Sequence, residues 1–218
     1  MNLDLDPGFV LAPAGGLLRY YLPLSWCVVL LGLLAWVSGR WPKPLRLLAL
    51  GGLVVWCVLP GPYSPDYWLG LAFQMPSLST VLLCAWLLWA ALFPTPQPDS
   101  LAQANGSGWH LALGAAAVGL GWLLLLDTLA LLPLELYALG FGPGANVFAM
   151  GLVLLPWIFG GRARLGWPVL ALAPLVIVVF AASRLPTGNV WDALLDPWLW
   201  LVLQIWLVRN LWGRWTRR

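Results

Sequence analysis

Two carboxylates, Asp127 and Glu135, stand eight residues apart in a stretch that is otherwise almost wholly apolar, with Pro133 between them. A carboxylate at membrane depth is costly, and such groups relay protons, bind cations or pair with arginine. A helix through both would put them on neighbouring faces, and Pro133 would bend it. Arg184 supplies an opposite charge, and Asp192 and Asp196 follow it in RLPTGNVWDALLDP. Asp127, Glu135 and Arg184 therefore form the candidate ion or proton relay. A plainer role competes. Both acids can sit at the outer water interface, where the penalty is small. Asp127 with Thr128 would then cap the short segment that follows, and Asp196 before Pro197 would start a helix.

Other reactive side chains are few. His110 is the sole histidine, so bis-histidine haem, histidine-rich zinc and HExxH sites are excluded. Cys27, Cys57 and Cys84 all lie in apolar runs, expected in the outer halves of the first three helices. Three thiolates at one level would suit a soft metal. Without a companion histidine, small buried hydrophobes at helix contacts explain them better. No CxxC, Walker A, GxSxG or CxxCH occurs. The single lysine, Lys43, lies in a loop, which excludes a Schiff base within the bundle. No catalytic residue, metal or cofactor is assigned.

The elements that hold these residues are read from charge and hydropathy. The 218 residues are 61% hydrophobic and 9% charged, against about 25% charged in a soluble domain. So much apolar surface must face lipid or other membrane proteins. The net charge of +3 arises from loop clusters and shows no nucleic-acid pattern. Nine of the eleven cations fall in three groups: Arg40, Lys43 and Arg46; Arg162 and Arg164; Arg209, Arg214, Arg217 and Arg218. Cytoplasmic loops collect Lys and Arg. Seven crossings put all nine inside and seven of the eight acids outside, leaving Arg19, Arg184 and Asp99 as exceptions. The acidic start MNLDLD lacks the basic region of a signal peptide.

The expected architecture is all-α, one transmembrane domain over 1–218, with the N-terminus outside and the C-terminus inside. The spans are 20–37, 45–60, 78–93, 109–126, 146–159, 167–183 and 197–208. Residues 128–141 are too short to cross twice, so they lie in the outer interface or dip in and return. Residues 94–108 form the one clearly polar loop.

Packing signals accompany the spans. Gly114, Ala117 and Gly121 make a small-residue stripe that lets helices approach closely. Gln204, mid-membrane, needs a hydrogen-bond partner and so a neighbouring helix. Trp86, Trp89, Trp122 and Trp206 lie away from the interfaces, where a large flat ring suits a partner surface. The expected role is a non-catalytic, multi-pass subunit of the plasma (inner) membrane. It scaffolds, anchors or assembles a larger complex, with the lipid bilayer and other integral membrane proteins as partners. Two alternatives remain: a small transporter or ion-conducting protein using Asp127 and Glu135, and an enzyme on lipid-linked substrates using the outer acids with Arg184.

Overall fold

Punctuation by proline, serine and aspartate sets the helix ends in the computed structural model, which describes residues 13–93, 108–158 and 167–216. Ten α-helices lie among these residues: α1 Gly15–Val37, α2 Lys43–Cys57, α3 Pro65–Phe73, α4 Leu78–Leu92, α5 Gly108–Thr128, α6 Leu136–Leu139, α7 Pro143–Ile158, α8 Trp167–Ser183, α9 Val190–Leu194 and α10 Pro197–Trp215. The fold is all-α. Among the described residues two helical stretches, Gly15–Arg40 and His110–Thr128, are long and apolar enough to cross a membrane by length and composition. Asp4, Asp6, Asp99, Arg162, Arg164, Arg217 and Arg218, and most of the polar loop, lie outside the described residues.

The helices depart from the expected spans at their ends. Helix α1 begins at Gly15 and carries Pro23 within it, and α10 continues to Trp215. Residues 65–73, which lie between the second and third expected spans, form α3, which has Ser64 at its N-cap and Pro65 in its first turn. Pro at that place is pre-set for a helix and loses no bond. Residues 128–141 do not form one helix. Chain reversal at Ala130 (φ 55°) and Glu135 (φ 46°) leaves only the four-residue α6.

The end of α5 explains that boundary. Leu131 N–H donates to Leu126 C=O, and Ala130 N–H to Asp127 C=O, both at 2.9 Å. This is the Schellman pattern, with its left-handed position filled by alanine where glycine is usual. With no glycine to mark it, the stop has no sequence signature.

The pairing of α1 with α4 is the most extensive in the fold. Their backbones touch at Gly32, where an added Cβ would lie 2.5 Å from Cys84 O. On the other side, Leu31 and Ala35 of α1 pack with Leu50 of α2. Helix α10 packs on α5 through tryptophan. A Cβ on Gly114 would meet Trp206 at 2.5 Å, and one on Gly121 would meet Trp200 at 2.4 Å. Trp200 Nε1 donates to Val118 C=O at 3.1 Å, and Trp122 meets Trp200 edge to face. The small residues of α5 are thus the floor on which two indoles of α10 lie. Gln204 is half-buried one turn from Trp200.

The largest buried cluster lies toward one end of the bundle. It joins Leu78 of α4, Ala145 and Ala149 of α7, Val176, Ile177 and Phe180 of α8, and Val190, Trp191 and Ala193 of α9. Away from it, large apolar side chains stand outward, among them Leu48 (73% exposed), Val55 (67%) and Val147 (76%).

Candidate functional site at the acidic end

The N-terminus of α4 is the anchor of this end. Tyr21 of α1 donates its hydroxyl to Pro76 C=O, and Trp26 donates Nε1 to Gln74 C=O, both at 2.8 Å. Asp196 reaches the same place from α10. Its Oδ1 accepts Leu199 N–H at 2.7 Å, which caps α10, and its Oδ2 accepts Ser77 N–H at 2.8 Å. Ser77 Oγ in turn accepts Thr80 N–H and caps α4. Buried Asp196 therefore lies at two helix N-termini, where negative charge is favoured.

A second knot forms around Tyr137. Asp127 Oδ2 accepts Tyr137 N–H at 2.7 Å. The Tyr137 hydroxyl donates to Asp192 Oδ2 at 2.9 Å, and Thr187 Oγ1 donates to the same oxygen at 2.5 Å. Asn189, fully buried, donates Nδ2 to Tyr137 C=O at 2.9 Å and accepts Trp191 N–H at 3.0 Å. Trp191 Nε1 donates to Leu136 C=O at 2.9 Å, and Val190 N–H to Gly140 C=O at 3.0 Å. A helix of one turn leaves most of its backbone groups without partners inside it. Here side chains and backbone of the 187–192 segment supply them.

The sequence-derived candidates divide on this geometry. Asp127 caps α6, whereas the sequence suggested a helix beginning at Thr128. Glu135 is exposed at the left-handed turn before α6. The two acids border one recess of about 660 Å³ together with Pro133 and Tyr137. Arg184 is not brought to them. Its guanidinium lies over the Phe180 ring at 5.4 Å, and its Nη1 is buried with no hydrogen-bond partner. Asp192 instead takes neutral hydroxyl donors, so the expected arginine–acid pairs do not form.

Among the cysteines, Cys27 packs against the Leu31, Ala35 and Leu50 cluster, while Cys84 packs with Trp26 and Val29 in another. Among the described residues no group of three or more His, Cys, Asp or Glu side chains is placed to hold a metal. Trp86 and Trp89 are 55% and 59% exposed on one side of α4. On the opposite-charged side of the chain, Arg46 of α2 donates Nη2 to Ala91 C=O at the C-terminal end of α4, where a cation is favoured.

Four important residues were not among the candidates: Tyr137, Gly140, Asn189 and Trp191. Of these only Asn189 carries a sequence signature, as a capping residue with an acid three positions on. Asp66 follows Ser64 and Pro65 at the start of α3. It is buried in the first turn of α3, Oδ1 has no hydrogen-bond partner, and burial pushes its carboxyl upward from its ordinary value.

The Tyr137 phenol is pushed up to about 12, first by burial and then by the charge of Asp192. A raised folded-state value gives stability that is whole below the ordinary 10.0 and is lost as pH rises through about 12. Tyr137→Phe is expected to flatten the alkaline loss of stability, read from unfolding curves in an alkaline series. Equal slopes in the two proteins would count against the hydroxyl–carboxylate bond.

The sequence matches no protein-family model, no curated protein and no solved structure.

Proposed function

We propose that the chain is a non-catalytic integral membrane subunit of about seven crossings that scaffolds or anchors a larger complex in the plasma (inner) membrane. One observation carries this reading. The acids best placed for chemistry are engaged in holding the protein's own backbone and hydroxyls, whereas Trp86 and Trp89 stand exposed together on α4. Large rings of this kind anchor partner surfaces. The arrangement of helix ends supports the topology. Bonds at the acidic end join the starts of α1, α4 and α10 to one another and the end of α5 to α6, and α8 packs on α9. The basic Arg46 lies with the opposite end of α4.

Conduction along Asp127 and Glu135 gains no comparable support, because Asp127 is held in a cap and the Arg184 guanidinium lies over Phe180. The test is purification in mild detergent followed by native mass spectrometry. A stoichiometric complex is expected for the wild type, and its dissociation for Trp86→Ala with Trp89→Ala at unchanged expression. A single 23.9 kDa chain that moves solute in liposomes, and stops doing so as Asp127→Asn, would overturn the scaffold in favour of transport.

A further inference from the structure

A second recess, about 460 Å³, opens between the turn before α4, Tyr137, and the segment leading into α10. Its lining includes the carboxylates Asp192 and Asp196 but no lysine, arginine or histidine. Its aromatic part is Phe73, Trp198 and Tyr137. Phe73 and Trp198 meet edge to face at 4.8 Å, and both remain nearly half exposed. We propose that this recess binds an organic ammonium cation.

The chemistry separates this class from its rivals. An anion meets two carboxylates and no counter-charge. A hard metal ion needs a cage of six or more oxygens. Here both Asp196 oxygens are occupied by Ser77 and Leu199 amides, and Asp192 Oδ2 by two hydroxyls. That leaves Asp192 Oδ1 as the carboxylate oxygen without a partner among the described residues. One available oxygen beside aromatic faces is a poor metal site. It suits a bulky, weakly hydrated cation, which is attracted by the ring quadrupole and by the carboxylate together. Arg184 does not fill this role from within, because it is stacked on Phe180. The ammonium can belong to a free amine in the aqueous phase or to a phospholipid head group at the bilayer surface. Both present the same group. The proposal does not depend on the scaffold role or on the number of crossings.

The test is calorimetric titration of the full chain in phosphatidylglycerol nanodiscs with choline and with ethanolamine. The neutral isostere of choline, 3,3-dimethylbutan-1-ol, is the control. Saturable binding of an ammonium and none of the alcohol is expected. Asp192→Asn keeps an acceptor for Tyr137 and Thr187 but removes the charge, and should weaken binding by about tenfold or more. Trp198→Leu should weaken it by about threefold. Unchanged melting temperatures show that both variants are folded; if one is not, the other carries the test. Adding phosphatidylethanolamine to the nanodiscs separates the sources. Competition with the soluble probe identifies the lipid head group, and unchanged affinity identifies a free amine. Failure of both ammonium probes to bind, equal binding of the alcohol, or full affinity in folded Asp192→Asn overturns the proposal.

Discussion

Gly140→Ala is expected to disrupt the acidic end of the bundle and to lower the melting temperature in detergent by about 5–10 °C. The new Cβ would lie 1.9 Å from Asn189 Oδ1 and 2.5 Å from Trp191 Cδ1. Neither neighbour can easily withdraw. Asn189 is fully buried and held by its bonds to Tyr137 C=O and Trp191 N–H, and Trp191 is tied to Leu136 C=O. Overpacking a tight site costs about 1–3 kcal/mol, and each buried polar group left without its partner adds about 1–3 kcal/mol. The glycine is not required by its backbone, which is ordinary right-handed helix at φ −62°. Close approach of α9 is the whole reason. Gly144→Ala is the matched control, because an added Cβ there meets nothing within 4 Å. It should leave stability unchanged or raise it slightly. Similar melting losses in the two variants would remove the close-contact explanation.

Asp196→Ala is expected to destabilise by about 2–4 kcal/mol, about 1 kcal/mol from the lost helix cap at Leu199 and about 1–3 kcal/mol from the buried Ser77 N–H left without its acceptor. The residue is only 7% exposed. It bonds Leu199 within its own helix and Ser77, which lies 119 residues earlier. One side chain thus fastens α10 to the start of α4. Asp196→Asn keeps one acceptor but turns an amide N–H toward the other donor, so its loss should be real and smaller. Hydrogen exchange gives a local readout: the amides of Ser77 and Leu199 should both lose protection in Asp196→Ala. Protection retained at Ser77 would show that the long-range bond is dispensable. The two variants probe different joints, since Gly140 belongs to the contact of α6 with α9 and Asp196 to the contact of α10 with α4.

The helices and their caps follow from local rules, and much of that was legible. Asp196 before Pro197 reads as a helix start, and it is one. Ser64 before Pro65 carries a similar signal, yet the surrounding GPYSP composition reads as a turn, so α3 is not anticipated. The C-terminal end of α5 is hidden for another reason. Its left-handed residue is Ala130, so the usual glycine marker is missing. The glycines and alanine of α5 announce a close contact without naming what makes it. That Trp200 and Trp206 of α10 fill the stripe depends on how two helices rotate against each other.

Charge and hydropathy, summed along the chain, determine the helical class and the separation of acidic from basic loops. They are sums over single residues and need no partner. The roles of the acids are another matter. Asp127 and Glu135, close in sequence, share a recess but not a function: one caps α6 and the other faces solvent. Asp127 and Asp192, far apart in sequence, meet on one tyrosine. Which donor a carboxylate finds depends on the segment that packing brings within about 3 Å, because a hydrogen bond weakens steeply beyond that reach. Tertiary structure alone decided that the acidic end is a knot of caps around Tyr137 and Ser77, with Arg184 turned away from it onto Phe180.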